Sequence, residues 1–302
     1  MTKASEKDSI LWHRRMGHIH FRKMNFLVKN NLVNGVPNMT FSINDYCIPC
    51  KRGKQHKKSH SPKIVNSINT PLELLHMDLF GPINVRSIGG KSYSLVVTDD
   101  YSRFSWVYFL GTKDETPDIL KYLFLRLENL CRLKIKMIRS DNGTEFKNHN
   151  LELFCLKQGI SHQFSAPRTP QQNGVAERKN RTLIEAARTM LSDSRLPVTF
   201  WAEAVNTACF VLNRVLTVKR QNKTCYELLN NRKPNLQFLE PFGCPCTILI
   251  TKERVPKFGE KANDGYFLGY SINSPNKRVF NKTTGQIEEC YEIECLRYTS
   301  PQ

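Results

Sequence analysis

Residues 70–195 constrain the fold of this 302-residue chain more than any other stretch, because strand and helix patterns follow one another there in a fixed order. Leu72 to Leu79, Tyr93 to Thr98 and Ser105 to Leu110 are apolar, β-branched or aromatic enough for three strands. The Asp99-Asp100-Tyr101-Ser102 link has turn chemistry. Asp114 to Cys131 then places Ile119, Leu120, Leu123, Leu127 and Leu130 at helical spacing. Ile135 to Arg139 reads as a fourth strand, Asn150 to Gln158 as a helix and Ser161 to Phe164 as a short fifth strand. Three strands, then helix, strand, helix, strand, predict an α/β domain: a mixed five-stranded sheet with helices on its faces. The turn-rich Pro167 to Gly174 leads into a long helix from Val175 to about Ser194, striped by Leu183, Ile184, Ala187, Met190 and Leu191. A further helix is expected over Phe200 to Asn213.

Three carboxylates stand where such a sheet would gather them. Asp78 lies on the first strand, Asp141 just past the fourth, and Glu177 in the first turn of the long helix. If the first and fourth strands are neighbours, all three meet at one edge. Each has a plain structural reading beside a catalytic one. Asp141-Asn142-Gly143 is a good turn, and Glu177 suits a helix N-terminus. Asp78 is harder to dismiss, since it interrupts Leu74-Leu75-His76-Met77 and Leu79-Phe80. A buried, unpaired carboxylate is costly and calls for a metal or a cation. Phosphodiester chemistry is served by two Mg²⁺ ions roughly 3.5–4 Å apart, held by a few converging carboxylates.

The amino-terminal region is rich in softer ligands. His13 and His18 precede the close pair Cys47 and Cys50, a donor set that satisfies tetrahedral Zn²⁺. His20 is an alternative to His18, and a plain reading is surface histidines beside two free thiols. A segment of about 40 residues buries too little to fold unaided, so the metal would be structural. Cys244 and Cys246 form a second close pair without partners at zinc-finger spacing and read as ordinary packing.

Charge narrows the partner class. Lys and Arg number 45 against 27 Asp and Glu, a formal net charge of +18 that suits a polyanion. No run of 18 apolar residues exists, and Met1 to Ile10 lacks the apolar core of a secretion signal, so nucleic acid is favoured over a membrane. The 10 Cys are then expected as reduced thiols or metal ligands. Lys51 to Lys58 is a basic run without an acid; Arg178, Lys179, Arg181 and Arg188 decorate the long helix. Each reads as a solvated face or as a nucleic-acid contact. Arg181, four residues past Glu177, shares its face. Beyond Phe242 the pattern becomes short strands with Gly and Pro: Thr247 to Ile250, Gly265 to Tyr270, Arg278 to Phe280 and Ile287 to Glu289, as in a small β-barrel. Lys252, Arg254, Lys257, Lys261, Lys277 and Arg278 offer a basic surface there.

Leu75-His76-Met77-Asp78-Leu79-Phe80-Gly81-Pro82, Arg139-Ser140-Asp141-Asn142-Gly143 and Pro170-Gln171-Gln172-Asn173-Gly174-Val175-Ala176-Glu177-Arg178 together resemble the integrase core of copia-type retrotransposons. Positions 142 to 176, 35 residues, separate Asp141 from Glu177, the spacing of that family's triad. Thr144 departs from it, standing where relatives often have Gly, but is not a ligand position. Trp12-His13-Arg14-Arg15-Met16-Gly17-His18 with Cys47-Ile48-Pro49-Cys50 looks like the family's His-His-Cys-Cys domain, and Gly265-Tyr266-Phe267-Leu268-Gly269-Tyr270 fits its SH3-like barrel.

The resemblance implies three segments. These are a zinc-binding helical domain with a basic linker over 10–62, an RNase H-like core with a helical extension over 68–235, and an SH3-like β-barrel over 242–298. It implies the integrase region of a Pol polyprotein that trims the 3′ ends of element DNA and joins them to target DNA. Asp78 and Asp141 would hold one Mg²⁺ (or Mn²⁺), Asp78 and Glu177 a second, and His13, His18, Cys47 and Cys50 one Zn²⁺. Arg178, Lys179 and Arg181 would hold DNA ends. A homo-oligomer working in the nucleus after a cytoplasmic particle stage is also implied. The competing reading is a domesticated or decayed remnant that binds nucleic acid without catalysis. An RNase H-type nuclease would share the core but leave the His/Cys segment unexplained.

Overall fold

The computed structural model describes residues 2–43, 47–54, 68–165, 174–250, 258–272 and 274–296. The amino-terminal segment opens with β1 (Thr2–Lys3), which pairs in parallel with β2 (Met39–Thr40), around α1 (Glu6–Arg15) and α2 (Phe21–Lys29). It closes with the short α3 (Ile48–Gly53). Ordered structure therefore begins before residue 10, the boundary expected from the sequence. Ser5 caps α1 by accepting from the Asp8 amide, and Ser9, Trp12 and His13 turn to the interior.

The central sheet follows the predicted order: β3 (Leu74–Phe80), β4 (Tyr93–Asp99), β5 (Ser105–Leu110), β6 (Met137–Ser140) and β7 (Ser161–Phe164). Across the sheet they run β5-β4-β3-β6-β7, with β3, β4 and β5 antiparallel and β3, β6 and β7 parallel. Asp99 closes the β4–β5 turn by accepting from the amides of Leu72 and Ser102 and from the Ser102 hydroxyl. Side chains alternate across β3. Leu75 and Met77 join Leu95 and Val97 beneath Leu120, Leu123, Phe124 and Leu127 of α4 (Thr116–Cys131). Leu130, expected on that stripe, is exposed in the helix's last turn. Leu151 and Cys155 of α5 (His149–Gln158) complete this core.

On the opposite face lie α6 (Gly174–Ser194) and α7 (Trp201–Val215), followed by β8 (Thr217–Val218), β9 (Lys223–Thr224) and α8 (Cys225–Asn230). The carboxy-terminal part is an antiparallel sheet of β10 (Pro245–Leu249), β11 (Ala262–Tyr270), β12 (Lys277–Asn281), β13 (Gln286–Cys290) and β14 (Ile293–Cys295), in the order β13-β12-β11-β10-β14. The last strand is an addition to the four expected.

A single apolar core runs through all three segments. Trp12, Met16, Met24 and Leu27, then Leu183, Met190, Val205 and Leu212, then Ile248, Phe267 and Val279, pack as one cluster. The approach is tight. At Gly269 (φ +148) a Cβ would fall 2.0 Å from Thr207 Oγ1 on α7, and at Gly17 (φ +66) one would fall 3.2 Å from Met190 Cε on α6. Arg278 fastens the carboxy-terminal sheet to α7 with two 2.8 Å hydrogen bonds to Glu203 and reaches Glu289 at 3.0 Å.

Candidate active site and metal centre

Strand register sets the first two carboxylates side by side. His76 pairs with Arg139 across parallel β3 and β6, which brings Asp78 level with Asp141 just past the end of β6. Asp78 points away from α4 and towards α6, where Asn180 Nδ2 donates to its Oδ2 at 2.6 Å. Burial raises the Asp78 carboxyl to about 6, and the charges of Asp141 and Glu177 add to the rise. The charges of Asp141 and Glu177 therefore both reach Asp78. Asp141 Oδ1 accepts from the Gly143 amide at 3.0 Å, so the turn reading and the site reading both hold for this residue.

The support behind Asp141 is polar. Ser140 Oγ donates to the Asp141 carbonyl at 2.9 Å and lies 3.0 Å from His162 Nε2. Burial pushes the His162 ring down to about 4, leaving it neutral near pH 7. With the serine proton spent on the carbonyl, His162 Nε2 is the donor. Two strands further, His76 Nε2 meets Asp100 Oδ1 at 2.8 Å, and Arg103 Nη1 reaches the same oxygen at 3.2 Å.

Asn180 was not singled out from sequence. Glycine 174 to Ser194 is one helix, so a residue three past Glu177 stays near its face. Lys179 corrects an expectation. It is buried, and its ammonium donates to the Arg103 carbonyl at 3.3 Å, because Ala176, Lys179, Asn180 and Leu183 form the inward side of α6. Arg178, Arg181 and Arg188 are exposed, as expected. Beside them Thr98, Arg103, Val175, Arg178, Lys179 and Thr182 line a cleft of about 290 Å³. Of the carboxy-terminal cations, Arg278 is paired with acids; Lys252, Arg254 and Lys257 lie outside the described residues. So do Gln55 to Lys58 of the basic run and Pro170 to Asn173 of the third motif.

The softer ligands converge as well. One donor atom from each of His13, His18, Cys47 and Cys50 lies within 4.8 Å of the others. His13 Nε2 is 3.2 Å from Cys50 Sγ, while its Nδ1 lies 2.8 Å from the Ile19 carbonyl. His18 Nδ1 is 3.5 Å from Cys47 Sγ. Hydrogen bonding between the two thiols lowers Cys47 and raises Cys50. His20 is excluded from the cluster, since it caps α2 by accepting from the Arg22 amide. Cys244 and Cys246 are buried thiols packed in the carboxy-terminal core.

Both places fit the metals their donors suggest. Two imidazoles and two sulfurs match a tetrahedral zinc site. Three carboxylates, two of which act on Asp78 through their charge, match a divalent cation bound through oxygen. They are not drawn together as the zinc-type ligands are, which among the described residues form the one such group of three or more His, Cys, Asp or Glu.

Comparison with known proteins agrees with this architecture. Residues 69–170 match the integrase core domain family, residues 1–55 the GAG-pre-integrase domain and residues 244–293 the retroviral polymerase SH3-like domain. The core is thus an RNase H-like integrase core, with an SH3-like domain after it. The chain is 37% identical over 282 residues to the retrovirus-related Pol polyprotein from transposon TNT 1-94 of Nicotiana tabacum, covering 93% of this chain and 21% of that one. It is 31% identical over 270 residues to that from transposon RE1 of Arabidopsis thaliana, covering 89% and 18%. Among solved structures, the HTLV-2 integrase catalytic core domain in complex with magnesium aligns with a TM-score of 0.42 and 22% identity, over 54% of this chain and 99% of that one. The chain belongs to the copia-type retrotransposon integrases, as the integrase region of a Pol polyprotein. It spans about a fifth of the length of the curated relatives it matches.

Proposed function

We propose that this chain trims the 3′ ends of its element's double-stranded DNA and joins them to target DNA. The observation that carries the reading is the strand register that sets Asp78 level with Asp141, where the charges of Asp141 and Glu177 add to the burial that holds the Asp78 carboxyl at about 6. Asp78 and Asp141 would hold one Mg²⁺ or Mn²⁺, and Asp78 and Glu177 a second. Such a pair supplies charge neutralisation and an activated nucleophile for in-line displacement at phosphorus. The chain's own contribution is placement. Asn180 fixes one Asp78 oxygen, and the Gly143 amide fixes one of Asp141. Arg181, exposed one helical turn from Glu177, reaches for a phosphate near the reacting bond. Water attacks in trimming, and the freed 3′-hydroxyl attacks in joining.

His13, His18, Cys47 and Cys50 would hold a structural zinc ion. The remaining positive charge would retain DNA without regard to sequence. Division of labour near 10–62, 68–235 and 242–298, a homo-oligomer and work on nuclear DNA complete the reading. The test is strand transfer by the full chain with a labelled duplex end and Mg²⁺ or Mn²⁺. Arg181→Ala should cost trimming far more than bulk DNA affinity; neutralising the Lys51 to Lys58 run should weaken binding to every duplex and flatten the salt slope, with turnover of bound ends mostly preserved. Tight binding without turnover by the unaltered chain would favour the non-catalytic remnant.

A further inference from the structure

The two histidines of the His/Cys pocket are held in opposite senses. His13 turns Nε2 to the sulfur of Cys50 and Nδ1 to the Ile19 carbonyl. His18 turns Nδ1 to the sulfurs of Cys47 and Cys50, at 3.5 and 3.7 Å. Its Nε2 lies 3.7 Å from Asp193 Oδ2, and the ring is buried. A metal-bound imidazole presents N–H at its second nitrogen, and an acceptor there fixes tautomer and ring orientation. Ile19 fills that place for His13. For His18 the group facing the second nitrogen is a carboxylate.

Asp193 is itself held. Arg14 Nε binds the same oxygen at 2.5 Å, and the aspartate sits in the last turn of α6. The surrounding packing is close: a Cβ on Gly53, beyond the second cysteine, would fall 2.4 Å from Thr189 Oγ1 of that helix. Thr189, Met190 and Asp193 thus form the shelf on which the His/Cys loops rest. Asp193 and Glu177 are 16 positions apart on one helix, about 24 Å at 1.5 Å per residue.

We propose that Asp193 is the outer carboxylate of the zinc site: it orients His18 to ligate through Nδ1 and ties occupancy of that site to the helix carrying Glu177. This rests on the zinc reading above. At 3.7 Å the contact is electrostatic, longer than a hydrogen bond. Arg14 binds the carboxylate but not the ring, so the two residues separate in a test.

The experiment is competition for zinc between a chromophoric chelator and the full chain, in the unaltered form and as Asp193→Asn, Asp193→Glu and Arg14→Ala, with far-UV circular dichroism to verify folding. Asp193→Asn should weaken zinc about 10–100-fold while still binding one ion at saturation. Asp193→Glu should recover part of the loss, and Arg14→Ala should cost less than about threefold. Chelation should also speed amide exchange over the last two turns of α6 in the unaltered chain, and less so in Asp193→Asn. Zinc affinity unchanged in Asp193→Asn, or Arg14→Ala as damaging as Asp193→Asn, overturns the role of Asp193 and leaves the zinc reading standing. An unaltered chain that binds no zinc overturns both.

Discussion

Groups of metal-binding residue types lie near the two ends of α6, and they are organised in opposite ways. Near Asp193, two imidazoles and two sulfurs stand within 4.8 Å of one another. The rings are held there by the Ile19 carbonyl and by Asp193. Near Glu177, the carboxylates are not drawn into such a group, and burial, with the added charges of Asp141 and Glu177, raises the affinity of Asp78 for a proton. A structural site closes all its ligands around the ion; a catalytic one keeps an open position for the substrate.

The sharpest break in this contrast comes from removing one carboxylate. Asp78→Asn should lower strand transfer by about a thousandfold or more, the several kcal/mol that metal-assisted stabilisation supplies. Zinc content should stay the same. Strand transfer that survives the substitution would sink the mechanism. Next in size, chelation of zinc or Cys47→Ser should lower the melting temperature by about 10 °C, which follows if the free ion stands near a thousandfold above its dissociation constant. Differential scanning calorimetry with and without chelator measures it. An unchanged melt would make the His/Cys pocket ordinary core.

A smaller effect tests the electrostatic side. In the metal-free chain Asp78 is held at about 6 against an ordinary value of 3.8, so it binds its proton more tightly folded than unfolded. Its contribution to stability is therefore full below pH 3.8 and lost as pH rises through about 6. Asp78→Asn should escape that loss and be more stable than the unaltered chain at pH 7 by about 1–2 kcal/mol, allowing for partial solvation. Urea titrations at pH 4 and pH 7 decide; equal stabilities of the two chains at both pH values would show that burial and charge do not raise Asp78. Smallest, Asn180→Ala removes one hydrogen bond, about 1 kcal/mol or fivefold in kcat, with KM for DNA unchanged.

Most of the central sheet was legible because its apolar runs alternate with helical periods, and register alone then set Asp78 beside Asp141. What escaped did so for physical reasons. The stripe of α6 was drawn from Leu183 onward; continued backwards by three, four and seven residues it reaches Asn180, Lys179 and Ala176, which places the lysine inside. Helix α1 was hidden behind its histidine, although Ser9, Trp12, His13 and Met16 keep helical spacing and Ser5 caps it. Asp193 had no local signal at all, since its partners, Arg14 and His18, lie in a different segment of the chain. Strand β14 is three residues long, too short for alternation to show.

The close seating of Gly269 on Thr207 and of Gly17 on Met190 carries a lesson for how such chains diversify. Three family segments follow one another in sequence like beads, yet their interiors are a common possession. A recombinant that took its last segment from a cousin would inherit a surface shaped for someone else's α7. Exchange should succeed where the crossover carries the matching patch of helix along with it, so the unit of mosaic inheritance here is larger than the unit of sequence resemblance.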